Sequence, residues 1–409
     1  MFFGRDGSPS RPLDVLRLAA VSAKPPCRLA TEMIKPLLFL SFVASSLFAA
    51  QESVVSTTEV ARVSRLPGWA SALERVPAEQ KAALQKLIEG MPERDKQSLS
   101  ADYLLRNTAL AFEAKQKAPW GPTIPDDIFL NYVLPYSAIG EEVDDWRADF
   151  RSRFLPVVEA IQKSGDAAHK INTVLWKMLD VVYSPKRDKP DQSPYHSMRI
   201  KMASCTGLSI LLIDACRSVG IPARFVGCLW VNKPGNHSWV EVWQDGQWYH
   251  LGAFDGEGLN KAWFTREAAN NIPNHPQFAI FAAAWLPTEA NLWRSMTISR
   301  PTPRPVVDVT QRYLDLCGKT NACHVEVIVC DAAGKRLVRE AVLTVGGKQI
   351  ASGKTHDDTR DLNSHFSFVM PEGTVAQIGV KNGDGTPGKV REVTFKKGKT
   401  QSILFKEAN

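Results

Sequence analysis

The chain has 409 residues, of which 44% are apolar and 23% are charged, a composition typical of a folded soluble protein with room for two or three domains. Its formal net charge is +7, but residues 1–50 account for +3 of that excess, and the mild charge of the remainder argues against a nucleic-acid partner. The sequence has no glycine-rich phosphate loop and no zinc spacing of cysteine and histidine, so it predicts no cofactor and no metal ion.

Residues 33–50 have the pattern of an export signal, with one positive charge, an apolar run and small residues at the end. The run is short for a transmembrane span, so we predict a cleaved secretory signal peptide, with an uncleaved anchor as the alternative. Because such signals stand at the N-terminus, we expect translation to begin at Met33 and assign residues 1–50 to a leader and signal peptide. The sequence thus predicts a secreted or periplasmic protein that meets the membrane only through this signal.

After a polar lead-in, residues 67–118 show the apolar spacing of helices, and two prolines within them mark helix starts. We therefore predict a helical N-terminal region at 51–140. Two further helices are predicted at 145–163 and 166–182, at the start of the next segment.

A helix with an apolar face follows the sequence Ser204-Cys205-Thr206-Gly207, and Gly220 and Pro222 end it. Cys205 should lie at or just before the first turn, where unpaired amide groups and the helix dipole favour an anion. A thiol in that position is expected to ionise more readily, and the thiolate is the nucleophilic form. Cys205 is therefore a candidate nucleophile, although most cysteines are small buried apolar residues.

Residues 221–230 have strand composition, and residues 236–243 and 247–254 alternate on either side of Asp245-Gly246, which predicts a β-hairpin. A two-residue turn fixes the register, and the predicted cross-strand pairs are Gln244 with Gln247, Glu241 with His250, and His237 with Phe254. His237 and Asp255 then lie at the same end of the hairpin. Together with a cysteine at a helix start, they form a candidate Cys-His-Asp constellation.

These motifs resemble the transglutaminase-like superfamily, which includes transglutaminases, bacterial proteases and peptide N-glycanases. The matching segments are Ser204-Cys-Thr-Gly207, Gly220-Ile-Pro-Ala-Arg224, Asn236-His-Ser-Trp-Val-Glu-Val-Trp243 and Trp248. The resemblance implies a papain-like α+β core in which Cys205 is the nucleophile, His237 is the base and an acid after Trp248 orients the histidine. The family pattern places this acid at the position of Gly252; here Asp255 is the nearest acid, and Glu257 is the fallback.

The core is predicted at 141–300, and the proline-rich start of residues 301–322 predicts a linker. Short strands separated by Gly and Asp turns then predict an all-β sandwich at 323–409, which resembles prealbumin-like or carboxypeptidase-regulatory modules. We expect this module to position the protein and to do no chemistry, so that truncation near Arg304 preserves chemistry at Cys205. Cys317 and Cys323 flank a turn-like segment and are candidates for a small disulfide loop.

The sequence therefore predicts an α+β protein with a helical N-terminal region, a papain-like transglutaminase core and a C-terminal all-β sandwich. By resemblance, it is an exported cysteine enzyme that cleaves or transfers amide bonds of a protein or peptide substrate through a thioester. We expect a peptidase or amidase, with a protein cross-linking transglutaminase and a non-catalytic binding protein as the alternatives. The predicted catalytic residues are Cys205, His237 and Asp255.

Overall fold

The computed structural model describes residues 66–287, 304–317, 322–397 and 400–407. All of them belong to one unit of contacting elements, residues 55–409. The predicted leader and signal peptide lie outside the described residues. Within the described ranges, no helix is long and apolar enough to cross a membrane.

Five helices precede the core and confirm the predicted helical N-terminal region. They are α1 (Gly68–Arg75), α2 (Ala78–Glu89), α3 (Glu93–Ser98), α4 (Ala101–Lys117) and α5 (Asp126–Tyr132). Four of them begin directly after a proline, which has no backbone N–H and so adds no unpaired donor at the start of the helix. Helix α4 instead begins after Ser100, whose hydroxyl oxygen accepts a hydrogen bond from the Tyr103 amide at 3.2 Å.

The core combines helices with a five-stranded antiparallel sheet of order β5-β4-β3-β6-β7. Its elements are α6 (Trp146–Val158), α7 (Ser164–Leu179), β1 (Val182–Tyr183), α8 (Pro194–Ile200), β2 (Met202–Ala203), α9 (Cys205–Ser218), β3 (Ala223–Leu229), β4 (Asn236–Gln244), β5 (Gln247–Leu251), α10 (Thr265–Ala268), β6 (Phe281–Ala283), β7 (Val306–Asp308) and α11 (Thr310–Cys317). The predicted helix after Ser204 corresponds to α9, which is buried from Thr206 to Ser218. Gly220 ends it with a φ of +83°, which glycine adopts without strain.

The hairpin β4–β5 has the predicted register near its turn, with Gln244 opposite Gln247 and Glu241 opposite His250. Asp245 and Gly246 both have positive φ angles, which is the geometry of the tight turn that their sequence predicts. Pairing stops at Val240 and Leu251, so the predicted pair of His237 with Phe254 does not form. The chain leaves the sheet at Gly252, before it reaches Asp255.

The described part of the predicted linker, residues 304–317, is built into the core instead. Strand β7 pairs with β6, and the Thr310 hydroxyl accepts a hydrogen bond from the Ile280 amide at 2.7 Å. Tyr313 on α11 accepts a hydrogen bond from the Trp239 indole at 2.6 Å. The buried Arg304 guanidinium stacks 3.8 Å from the Trp285 ring. These side chains find partners far away in sequence, which the local composition of the segment does not reveal.

The C-terminal module is an all-β sandwich, as predicted. Its strands are β8 (Ala322–Cys330), β9 (Glu340–Val345), β10 (Lys348–Lys354), β11 (Phe366–Pro371), β12 (Val375–Lys381), β13 (Pro387–Thr394) and β14 (Gln401–Lys406). They form one sheet of order β10-β9-β12-β13 and a second of order β11-β8-β14, with an apolar core of their own. The connection of β10 to β11, residues 355–365, is called the 355–365 loop below.

The six cysteines among the described residues are all free thiols. The predicted pairing of Cys317 with Cys323 is therefore not found. Cys317 is half-buried on α11, where its thiol donates to the carbonyl of Thr265 at 3.6 Å. Cys323 is buried in the sandwich core. Each thiol thus packs within its own module, Cys317 in the core and Cys323 in the sandwich, rather than bridging the two.

Candidate active site

Cys205 is the first residue of α9 and lies half-buried at one side of a cavity. The Thr206 hydroxyl forms a hydrogen bond with the Ser238 hydroxyl at 3.2 Å, which fixes the first turn of α9 against β4. Burial raises the pKa of the Cys205 thiol to about 12, and the charge of Asp361 acts in the same direction, against hydrogen bonds from Ser238 and Thr206. The expected easy ionisation is therefore wrong for this resting site, because desolvation of the thiolate outweighs the helix dipole.

His237 lies near the start of β4 and is only 5% exposed. Aromatic rings surround its imidazole: Trp263 and Phe264 at 4.8 Å, Trp239 at 5.7 Å and Trp230 at 6.1 Å between ring centres. Neither ring nitrogen has a hydrogen-bond partner within the described residues. Burial lowers the pKa of His237 to about 4; Asp361 opposes this shift and Lys233 adds to it. The imidazole is therefore neutral and able to accept a proton.

Asp361, which the sequence interpretation did not single out, is the acid that approaches His237. One Asp361 carboxylate oxygen lies 3.8 Å from His237 Nδ1 and has no hydrogen-bond partner among the described residues. The other accepts hydrogen bonds from the backbone amide and side-chain amide of Asn363, at 2.8 and 3.0 Å. Asp361 belongs to the 355–365 loop of the sandwich, the module from which no catalytic residue was expected.

The sulfur of Cys205, a ring nitrogen of His237 and a carboxylate oxygen of Asp361 all lie within 4.8 Å of one another. A thiol, an imidazole and a carboxylate at this spacing are the components of a nucleophile, a base and a group that orients the base. The same donor types at this spacing are also compatible with a metal ion, and no other such group is found in the described ranges.

Asp255, the predicted third member, lines the same cavity but forms no ion pair with His237 in the described structure. Its side chain folds back over Gly252: a Cβ atom placed on that glycine would lie 1.8 Å from an Asp255 carboxylate oxygen. The Asp255 carboxylate thus occupies the space into which the acid of the family pattern would project. Burial raises the pKa of Asp255 to about 8, with Glu257 and Asp361 adding to the shift and Arg360 opposing it.

Glu257, the fallback for Asp255, is exposed and lines a different cavity of about 620 Å³. That cavity is bordered by α10, α11 and residues between β5 and α10, and neither Cys205 nor His237 lines it. Asp255 and Glu257 therefore both remain sequence predictions as orienting residues.

The cavity at Cys205 has a volume of about 180 Å³. Core residues form one side of it and the 355–365 loop forms the other. Its lining residues are Tyr183, Cys205, Leu208, His237, Ala253, Phe254, Asp255, Thr359, Arg360 and Asp361. The structure thus brings all three predicted site residues to one cavity and adds loop residues that no local sequence signal marked.

A model of the transglutaminase-like superfamily matches residues 156–253. The matched segment contains Cys205 and His237 but ends before Asp255 and the sandwich. It confirms the predicted resemblance and, with the helices and sheets described above, the predicted α+β fold with a transglutaminase-like core. The comparison with curated proteins gave no match.

Several solved structures are similar to this chain. A candidate cysteine protease from Cytophaga hutchinsonii is 17% identical, with 40% of this chain and 58% of that chain covered and a TM-score of 0.24. Red sea bream transglutaminase is 10% identical, with 68% and 65% covered and a TM-score of 0.33. A candidate protease from Parabacteroides distasonis is 9% identical, with 72% and 53% covered and a TM-score of 0.26. The chain thus spans less than two thirds of each of these proteins.

Proposed function

Since residues 156–253 form a transglutaminase-like core, we propose that the protein is a cysteine enzyme that cleaves or transfers an amide bond through a thioester. The observation that carries the proposal is the meeting of the Cys205 sulfur, a His237 ring nitrogen and an Asp361 oxygen within 4.8 Å at a cavity.

The protonation states suit general-base catalysis. The raised pKa of Cys205 and the lowered pKa of His237 leave a neutral thiol and a neutral imidazole at rest. His237 accepts the thiol proton as the sulfur attacks the amide carbonyl, so the negative charge moves directly to the carbonyl oxygen. Backbone N–H groups of the first turn of α9, including that of Cys205, would then hold this oxyanion.

Collapse of the tetrahedral intermediate breaks the C–N bond, and the imidazolium of His237 gives its proton to the leaving amine. The product is a thioester of Cys205. Water then attacks this thioester in a peptidase or amidase, whereas a lysine amine attacks it in a cross-linking enzyme. Hydrolysis is the proposed outcome, as the sequence interpretation favoured, and the substrate class is a protein or peptide.

Alkylation of Cys205 tests whether the site is reactive at all. The purified protein is treated with iodoacetamide near neutral pH, and the modified cysteines are quantified by peptide mass spectrometry. Cys205 should react faster than Cys317, because His237 can accept the Cys205 proton as the sulfur attacks; Cys317, a half-buried thiol of the core that donates to the Thr265 carbonyl, serves as the internal control. A Cys205 thiol that reacts no faster than Cys317 contradicts the enzyme proposal and favours a binding protein on the same fold.

Activity is then measured on casein and cell-wall peptides, with and without an added amine. Cys205→Ala and His237→Ala should each abolish cleavage, while Cys216→Ala, a buried thiol on the same helix, should leave it unchanged. Incorporation of the amine without peptide release indicates a transferase. Full activity of Cys205→Ala on any substrate rules out the thioester.

Export is proposed on the sequence alone. If the signal at residues 33–50 is cleaved, N-terminal sequencing of the secreted protein should give a start near residue 50. An intact Met1 contradicts the proposal.

A further inference from the structure

Building on the proposed function, we propose that the 355–365 loop is an integral part of the active site and that its Asp361 is the positioning carboxylate of His237. The site is thereby assembled from two modules: the core supplies the nucleophile and base, and the sandwich supplies the group that orients the base and one side of the substrate cavity. The sandwich would then be required for turnover itself.

The Asp361 carboxylate is held in a fixed position away from water. It is only 9% exposed, and one oxygen is fixed by two hydrogen bonds from Asn363. The second oxygen is buried, has no partner among the described residues and points at His237 Nδ1 from 3.8 Å. A buried carboxylate oxygen without a partner is costly unless a donor reaches it. A shift of less than 1 Å, of the kind that catalytic hydrogen bonds undergo when substrate binds, would make that nitrogen the donor.

The sandwich holds its side of the loop through a buried arginine. The Arg336 guanidinium donates to the backbone carbonyls of Arg360 at 2.7 Å, Asp361 at 3.2 Å and Ser364 at 3.2 Å. It also forms an ion pair with Asp358 at 2.9 Å. Arg336 is 5% exposed, so these bonds are shielded from water and hold the loop backbone in one conformation.

The core holds the opposite side of the same loop. The Tyr183 hydroxyl accepts a hydrogen bond from the Leu362 amide at 2.9 Å, and the Asn363 side chain donates to the carbonyl of Asn236 at 3.0 Å. Asn236 directly precedes His237, so one asparagine joins the Asp361 carboxylate to the backbone beside the base. Lys233 extends the contact by pairing with Glu326 of the sandwich at 2.6 Å.

Asp255 is less suited to the role. It makes no ion pair with His237, and its raised pKa keeps it protonated near neutrality, so it cannot compensate the charge of an imidazolium. The charged groups that face His237 are Asp361 from the loop and Lys233 from the segment before β4, with the Cys205 thiol opposite. Among these, only Asp361 favours the protonated form of the base.

The test uses the full chain with Asp361→Asn, which keeps the side-chain shape and removes the charge. Its matched control is Asp384→Asn, in an exposed turn of the same sandwich, where the carboxylate accepts hydrogen bonds from the backbone amide and hydroxyl of Thr386. We expect kcat of Asp361→Asn to fall by about 100-fold or more, as for other orienting carboxylates, with KM changed less than threefold. The control should match wild type in kcat, KM and melting temperature.

The pH profile separates positioning from a structural role. Because Asp361 raises the pKa of His237, which must be neutral to accept the thiol proton, its removal should move the acid limb of kcat to lower pH, whereas partial unfolding would reduce the amplitude without a shift. Assays contain EDTA so that a metal ion does not enter the comparison. If Asp361→Asn is poorly folded, Asn363→Ala provides the second reading: the half-buried amide is lost, and kcat should fall about tenfold.

Asp361→Asn with kcat within threefold of wild type and an unshifted pH profile overturns this inference. A wild-type kcat of Asn363→Ala would do so in the case where Asp361→Asn cannot be prepared. Both results leave the proposed function intact as long as Cys205→Ala is inactive. If Cys205→Ala is active instead, the proposed function fails, whatever the loop variants show.

Discussion

Asp255→Asn is expected to stabilise the protein at alkaline pH while preserving its activity. Asp255 has a pKa of about 8 in the folded protein against a usual value of 3.8, mainly because of burial. Above pH 3.8 the unfolded chain releases this proton, whereas the folded protein retains it until about pH 8. Ionisation therefore favours the unfolded state, and stability decreases as the pH rises through this interval.

The size of this gain in stability follows from the difference between the two pKa values of Asp255. The difference between 3.8 and about 8 corresponds to about 6 kcal/mol at full ionisation. The side chain is only half-buried, so solvent screening reduces the expected effect to about 1–3 kcal/mol. Asparagine fills the same space beside Gly252 without a titratable group. The gain in stability should therefore be largest at pH 8 and near zero at pH 4.

The assay is urea unfolding of wild type and Asp255→Asn at pH 4, 6 and 8, together with turnover at neutral pH. Glu257→Gln is the matched control, since Glu257 is exposed and acts on Asp255 only through its charge. It should give a smaller gain with the same pH dependence. A variant that is less stable than wild type at pH 8 refutes the reasoning about burial. A large loss of turnover in Asp255→Asn would instead support Asp255 as the orienting residue, as the sequence predicted.

Three further outcomes are expected. Glu241→Gln should destabilise the protein by about 3–5 kcal/mol in thermal unfolding, because the fully buried Arg224, paired at 2.6 Å, loses its counter-charge; a change below 1 kcal/mol contradicts this. The melting temperature should fall as the pH drops from about 6.5 to 4. Burial lowers the pKa of His237 and His250 to about 4, so only the unfolded chain binds these protons in that range. A melting temperature that does not change with pH would be inconsistent with neutral histidines. A chain truncated near Arg304 should lose turnover even on small amides, since it lacks β7, α11 and the 355–365 loop; retained turnover would restore the original expectation of an inert sandwich.

The features that the sequence predicted well depend on local chemistry. Asp245-Gly246 fixes a tight turn, so the cross-strand pair of Glu241 and His250 follows by counting. Cys205 falls at the start of α9 because the apolar spacing and Gly220 define both ends of that helix. These signals lie within a few residues of the feature that they predict, and tertiary contacts do not override them.

The features that the sequence missed depend on distant partners. Strands β10 and β13 alternate weakly, because they are edge strands with many exposed positions. The segment 306–317 looked like a linker because its strand has only three residues and its helix is anchored by Tyr313 to Trp239. The aromatic surroundings of His237 likewise combine residues from β4 and from the loops on either side of the hairpin.

Asp361 shows most clearly what the sequence alone does not predict. Its local sequence, Asp357-Asp-Thr-Arg-Asp361, is that of a polar loop, and nothing in it marks one aspartate among three. Only the docking of the sandwich against β4 brings this carboxylate to His237. A functional residue supplied by a second module has no spacing relation to the motif that it completes, so a pattern confined to residues 204–255 cannot contain it.

The position of Asp361 beside both members of the dyad also determines how the site can work. Its charge raises the pKa of His237 and that of Cys205, so it favours the imidazolium while disfavouring a free thiolate. The thiol is thus kept protonated until an amide carbonyl is present to receive the charge, and the imidazolium is then stabilised as it forms. Removing this one carboxylate should therefore change two rates in opposite directions. In Asp361→Asn, the thiol ionises more readily and iodoacetamide should alkylate Cys205 at an equal or higher rate, whereas amide turnover falls. A parallel loss of both rates would mean that Asp361 supports the structure of the cavity and not the charge balance of the dyad.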